Sequence, residues 1–463
     1  MHTKSENGVY NMKNTLYFLT LIIVMNTGCG SNRPKETNAD AVKLLVIEPE
    51  HFHAALVQKY ANDEIDPLVH LFADSAITAE GYTQLIDQYN SRETDPTHWD
   101  ITEYYGADYV EKAFQGETGN VVVLAGDNAK KIDYITRAVQ HNRDVFADKP
   151  LVIDGAGYSK LKTLMDDSNK NSALVYDIMT ERYDVKNQII KALINNKEFS
   201  GGLQVNDNEP SIAFSSIHHF IKEVSGKPLT RPVLFFNTKQ QGEGLVDVTT
   251  HYIDLIQWML SSEQVIDIDR DIQLKDAQRW ATNLSKADFT KATNLEDYPS
   301  SLLADVTAEQ TLNVFSNGKI DYSFKGIPVS IAVEWAVESL DGRGDQFHAK
   351  FLTKQFDIEV KADVNAKMAV FLTPNTNDAH FEDELKGALA AIKDLPNLSY
   401  EKENGQYKIS IPDALYLSHE EHFAKVLQQF LKYRKDGSLP AWEKSFILAK
   451  YYLTTKSLEF AKR

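Results

Sequence analysis

Cysteine is almost missing from this chain: its 463 residues include one, Cys29. An intramolecular disulfide and a cysteine-built zinc cage are therefore both excluded. Positive charge is in deficit too. Lysine and arginine number 49 against 66 aspartates and glutamates, a formal net charge of −17. Affinity for a nucleic-acid backbone rests on clustered cations, so this balance argues against DNA or RNA as a partner. The glycine fingerprint of a dinucleotide loop is absent as well. After the first strand-like run the chain reads Glu48-Pro49-Glu50-His51-Phe52-His53-Ala54, with no glycine to let a pyrophosphate approach the backbone. What is present suits a folded body, with 43% apolar and 25% charged residues. Single cores stop growing near ~250–300 residues, so at least two domains are expected.

The lone cysteine closes a leader-like segment. Met12-Lys13 precedes an apolar stretch from Leu16 to Met25, and Thr27-Gly28 leads into Cys29. That stretch is well short of the ~20 residues a spanning helix needs and matches the apolar core of a secretory signal. It resembles a bacterial lipoprotein signal, in which the cysteine becomes the lipidated first residue. Residues 1–29 are thus expected to be a signal ending at a lipidation site on Cys29. Residues 30–40 form a polar tether, and the chain is placed in the cell envelope, facing the periplasm or the cell surface. A lipid anchor is the sole membrane contact expected.

Strand and helix patterns alternate between residues 41 and 178. Val42 to Ile47, Val69 to Ala73, Val121 to Ala125, Val145 to Ala147 and Ala173 to Tyr176 are short apolar runs separated by helical spacings such as Ile132, Ile135, Ala138 and Val139. Continuous apolar runs indicate strands buried on both faces, hence a Rossmann-like parallel sheet with ligands at the strand C-terminal ends. Residues 179–463 differ. Ile331, Val333, Trp335 and Val337 alternate, as do Phe356, Ile358 and Val360, which predicts an open-faced, mostly antiparallel sheet with helices on one side. Ser316-Asn317-Gly318 carries a tight-turn signal for a hairpin. His419-Glu420-Glu421-His422 has the wrong spacing for a metalloprotease and marks the first turn of a helix that closes at Asp436-Gly437. An amphipathic helix is expected from about Glu443 to Ala461. The fold class is α/β followed by α+β.

Three segments carry the chemistry. Gly126-Asp127-Asn128 follows a buried strand, Asp148-Lys149-Pro150 follows the next, and Asp247 and His251 stand at i, i+4 much later. In this order they resemble the Gfo/Idh/MocA family of sugar and polyol oxidoreductases, which carries Glu-Lys-Pro at the second of these places; here Asp148 replaces the Glu. The His51–His53 loop, His218-His219 and Gln240-Gln241-Gly242-Glu243-Gly244 resemble a Bacteroidetes lipoprotein branch of that family.

The resemblance implies a nicotinamide cofactor held by Glu48, Pro49, His51, Phe52, His53, Asp74, Gly126, Asp127, Asn128 and Lys149. Asp74, after the second strand, suits a ribose 2′-hydroxyl and favours NAD, with NADP as the alternative. Lys149 can stabilise a forming alkoxide, His251 can take or relay its proton, and Asp247 can orient the substrate. His218, His219, Asp247 and Trp335 are the substrate-side candidates. The histidines could also ligate a transition metal, but no carboxylate lies at a completing spacing, so no metal is expected. The expected activity is oxidation of a secondary hydroxyl on a sugar or glycoside, to a 3-keto-glycoside, with a tightly bound, recycled cofactor. The alternatives are glycoside cleavage by oxidation and elimination, and a carbohydrate-binding lipoprotein without activity. The partner is a small carbohydrate, with association of copies through the open sheet as the further expectation.

Overall fold

The computed structural model describes residues 41–463 apart from 172, 207–208, 225–226, 340–343 and 377–378. The leader, Cys29 and the tether at 30–40 lie outside the described residues. Six strands, β1 (Leu44–Ile47), β2 (Leu68–Ala73), β3 (Asp100–Tyr105), β4 (Val121–Leu124), β5 (Asp144–Asp148) and β6 (Val175–Ile178), form a parallel sheet in the order β3-β2-β1-β4-β5-β6. The order reverses between β1 and β4, which pair Leu44 with Val121 through Ile47 with Leu124. A crevice opens at such a switch point beyond the strand C-terminal ends.

Alternation along β1 shows why the sheet is covered on both sides. Leu44 and Val46 enter a core with Phe423 and Phe430 of helix His419–Asp436. Leu45 and Ile47 enter another with Ile132 and Ile135 of helix Asn128–Gln140. Helix His419–Asp436 begins where expected, with a capping box between Ser418 and Glu421, and ends at Gly437 with φ 73°. The helix expected after β1 is a single turn, His53–Leu56. Beyond it the carbonyls of Gln58 and Lys59 are taken by Trp99 Nε1 at 2.6 Å and Arg92 Nη2 at 2.7 Å, so the chain turns away.

The remaining strands are β7 (Ile212–Ile221), the short β8 (Glu223–Val224) and β9 (Lys227–Pro228), β10 (Ile272–Ser285), β11 (Thr311–Phe324), β12 (Ile327–Glu338), β13 (Gln346–Leu352), β14 (Phe356–Ala362), β15 (Met368–Pro374), β16 (Ser399–Glu403) and β17 (Gln406–Ser410). Nine of them form the sheet β10-β11-β12-β7-β13-β14-β15-β17-β16, antiparallel except where β12 runs parallel to β7. Phe214, Phe351, Ile358 and Val370 pack from one face against Ile253 and Ile256 of helix Thr249–Ser261. The other face carries ion pairs such as Lys319–Asp321 and Lys361–Glu359.

Two expectations change. Ser316-Asn317-Gly318 is not a turn but the middle of β11. A Cβ on Gly318 would stand 2.5 Å from Leu245 Cδ2, so the glycine admits the 244–245 segment against the strand. Asn317 meanwhile donates to Trp280 O and accepts from Trp335 N, tying three strands together. The hairpin turn falls at Lys325-Gly326, with φ of 49° and 81°, the left-handed pair a two-residue turn requires. The last helix, Ala441–Ala461, is not amphipathic. Phe446, Ala449 and Leu453 pack on the large sheet's core and Ile447 and Tyr451 on the parallel sheet's, so it is apolar on two sides.

Candidate active site

Four loops at the C-terminal ends of the parallel strands converge. The β1 loop turns at once, because Glu48 takes a left-handed φ of 46°. Its carboxylate is buried between Lys130 Nζ at 2.5 Å and Tyr134 Oη at 2.6 Å, with Pro49 buried beside it. The His51 amide donates to Ala125 O at 3.0 Å, which lays the loop across the end of β4. Close approach falls to Gly126, where a Cβ would lie 2.1 Å from Glu48 O. One close-approach glycine therefore sits on the β4 loop rather than the β1 loop. Asp127 caps helix Asn128–Gln140 through the amides of Ala129 and Lys130, and its other oxygen accepts from Gln240 Nε2 at 2.9 Å. Asn128 donates to Gln241 O at 2.8 Å. Asp74 is exposed at the end of β2 and accepts from Thr78 Oγ1. Glu50, which sequence reasoning passed over, keeps an exposed edge, yet partial burial and the neighbouring Glu48 and Asp127 push its carboxyl up to about 7.

His51, Phe52, His53, Gly126, Asn128, Asp148, Lys149, Gln241 and His251 line a cavity of about 180 Å³. A second cavity of about 390 Å³ is bounded by Lys149, Glu181, Asp184, Asn187, His218, His251, Tyr252 and Phe347 among others. Lys149 and His251 line both, so they stand where the two spaces meet. Lys149 Nζ lies 2.5 Å from Asp247 Oδ1. Burial alone would lower the ammonium's pKa, but Asp247 and Asp148 outweigh it and hold Lys149 above its ordinary value. Asp247 precedes helix Thr249–Ser261 and spends its carboxylate on Lys149, not on capping. His251 is in the first turn of that helix. Burial, then the Lys149 charge, drive its imidazole well below 6.5, and its Nδ1 has no hydrogen-bond partner.

Asp148 sits at the end of β5 with His53 Nδ1 at 3.0 Å and His51 Nδ1 at 3.6 Å from Oδ2. Burial would raise its carboxyl, but His53, His51 and Lys131 hold it far below the usual range. Burial, then His53, lower His51 to about 3. His419, read from sequence only as part of a helix start, places Nε2 3.0 Å from His53 Nε2.

On the substrate side the paired histidines differ in what they line, although both imidazoles reach Asp345, His218 Nδ1 at 3.4 Å from Oδ2. His218 lines the larger cavity and stacks on Trp335 at 5.0 Å. His219 is buried, approaches Asp345 Oδ1 at 3.3 Å and lines neither cavity. Trp335 therefore backs His218 without lining the cavity itself. Glu181, which the sequence did not single out, is pushed up to about 7, first by burial and then by Asp184. The signal that could have found it is weak, an acid in an otherwise ordinary helix approach.

The parallel sheet, the open-faced sheet and a lysine–histidine pair between them define an oxidoreductase of the Gfo/Idh/MocA type. Residues 189–462 match a family model described as "Putative oxidoreductase C terminal domain", and the chain belongs to that oxidoreductase family. It is similar to the crystal structure of a "putative oxidoreductase" from Parabacteroides merdae, with 35% identity and a TM-score of 0.88 over 91% of this chain and 98% of that one. It shares its fold with a 3-ketoreductase from Actinomadura kijaniata in complex with NADP, at 11% identity and a TM-score of 0.53, covering 89% of this chain and 96% of that one. A "putative myo-inositol dehydrogenase" from Sinorhizobium meliloti gives 12% identity and a TM-score of 0.53, over 91% and 98%. No curated protein matches the chain.

Proposed function

We propose that the chain oxidises a secondary hydroxyl of a sugar or glycoside with a nicotinamide dinucleotide that stays bound and is recycled. The observation that carries this reading is that Lys149 and His251 line both cavities. A drug-sized ligand takes roughly 300–1,000 Å³, so the smaller space suits the nicotinamide-ribose end, and Gly126 and Asp74 at the strand ends would help to hold the remainder. The larger cavity mixes acids and Asn187 with Tyr252 and Phe347, a lining suited to a ring with hydroxyl edges and C–H faces.

When bound, the dinucleotide supplies the hydride acceptor. The chain's residues manage the proton. A neutral His251 is free to accept it from the hydroxyl, while the Lys149 ammonium donates a hydrogen bond to the oxygen as negative charge develops. Asp247 keeps Lys149 charged and aimed. The carbinol carbon thus loses a hydride and the oxygen a proton, leaving a ketone. Mass spectrometry of small molecules released from denatured protein is the test, followed by isotope exchange between a glycoside and its 3-keto form. One dinucleotide per chain and measurable exchange are expected; stripped protein that binds neither NAD nor NADP would sink the reading.

The same reading places the enzyme on the cell envelope through a lipid on Cys29, supported by the leader-like segment before it. Metabolic labelling with a fatty-acid analogue should mark the wild-type chain and not Cys29→Ala; an unlabelled wild type refutes the anchor.

A further inference from the structure

Among the described residues His51, His53 and Asp148 bring three ligand atoms within 4.8 Å of one another. Sequence spacing offered no carboxylate to these histidines; strand order supplies one, because the β1 loop crosses β4 and reaches the end of β5. The separations have a specific size. Tetrahedral ligands at about 2.1 Å from a metal stand about 3.4 Å apart, and Asp148 Oδ2 lies 3.0 Å from His53 Nδ1 and 3.6 Å from His51 Nδ1.

The hydrogen bonding leaves these atoms uncommitted. His53 Nδ1 is buried and makes no hydrogen bond, although a carboxylate oxygen stands beside it. His51 Nδ1 receives only a long 3.3 Å contact from the His53 amide. The nearby ammonium groups are engaged elsewhere, Lys149 with Asp247 and Lys131 with the carbonyls of Asp148 and Pro150. On the far side of the His53 ring, Nε2 lies 3.0 Å from His419 Nε2. A metal-bound histidine needs such an acceptor for its second N–H, which fixes the tautomer that leaves Nδ1 free to ligate.

We propose that His51, His53 and Asp148 form a three-ligand site for a divalent transition-metal ion of the zinc class, its open position facing the cavity shared with Lys149 and His251. Two imidazoles and a carboxylate suit such an ion, and three protein ligands with a vacant fourth place are the pattern of reactive rather than structural zinc. Without dinucleotide, the cavity of about 180 Å³ leaves room for a water or a hydroxyl there. The site goes beyond the oxidoreductase reading and does not rest on it.

The test strips the full-length protein with a chelator and titrates it with Co²⁺ as the spectroscopic probe, then displaces the probe with Zn²⁺. One Co²⁺ per chain with visible d–d absorption is expected. His51→Ala and Asp148→Asn should each weaken binding more than ~100-fold, and His419→Ala by the ~10–100-fold of an outer partner. Circular dichroism confirms folding, and His51→Ala, on a partly exposed loop, decides the matter where Asp148→Asn does not fold. A wild type that takes up no stoichiometric Co²⁺, or a folded His51→Ala protein that binds it as well as wild type, overturns the site. Dinucleotide titration on the same preparation separates the two ideas: metal bound without dinucleotide supports the site and counts against the oxidoreductase reading alone.

Discussion

Lys149 owes most of the rise in its pKa to Asp247, which comes from a segment 98 residues further along the chain. If the ammonium must donate to the reacting oxygen, activity falls once it deprotonates. Asp247→Asn removes the largest influence raising the Lys149 pKa, so the alkaline limb of the pH–rate profile should move to lower pH. An unmoved limb would detach Asp247 from Lys149. Lys149→Ala and His251→Ala should each lower turnover ~10²–10⁴-fold, the usual share of a proton-transfer group. Because both act on one hydroxyl, the double variant should be scarcely slower than the worse single one; additive losses would place them on different steps. Lys149 and His251 stood out in the sequence because Asp148-Lys149-Pro150 and the i, i+4 pair Asp247 and His251 resemble a family's motifs, and the fold brings the two residues to the same two cavities. The service Asp247 does for Lys149 was not legible in the sequence, and neither was Asp148 meeting His51 and His53. Those contacts arise from strand order, which local pattern does not encode.

Elements were most legible where both faces are buried. β1 and β4 announce themselves as apolar runs, whereas the edge strand β3 is a mostly polar Asp-Ile-Thr-Glu-Tyr-Tyr segment that no apolar count selects. Glycine misled in a similar way at 318, because a turn and a close approach between segments leave the same residue behind. The two glycines of β11 and its turn make this testable. Gly318→Ala forces a Cβ into Leu245, two residues before Asp247, and overpacking of this kind costs about 1–3 kcal/mol. It should lower the denaturation midpoint and also reduce turnover by shifting Asp247. Gly326→Ala meets nothing within 4 Å but keeps a φ of 81°, so backbone strain of about 1–2 kcal/mol is its whole effect. Its turnover should match wild type. Equal turnover in both variants would show that the 244–247 segment does not transmit the change.

At the scale of the molecule, helix Ala441–Ala461 joins the two sheets, and its charged residues are its most exacting part. Lys450 is fully buried, with Nζ 2.7 Å from Asp177 and 3.0 Å from Asp254. Asp177 belongs to β6 of the parallel sheet and Asp254 to helix Thr249–Ser261, which packs on the open-faced one. Arg182 extends the network, pairing with Asp254 at 2.6 Å and with Glu443 of the last helix at 2.9 Å. A buried network of this kind is weak evidence of net stabilisation, since desolvation offsets much of the attraction, but removing one member strands the others without a counter-charge. Lys450→Met keeps the length and apolar volume of the side chain and leaves Asp177 without a cation, while Asp254 keeps Arg182. The expected loss is about 3–5 kcal/mol, read as a lower denaturant midpoint. Lys160→Met, which removes an exposed partner of Asp133, should leave the midpoint where it was. A further Asp177→Asn change on the Lys450→Met background should recover part of the loss, because it removes the carboxylate left unpaired. If Lys450→Met unfolds no earlier than Lys160→Met, the two sheets are held by apolar packing alone and the buried charges contribute nothing to joining them.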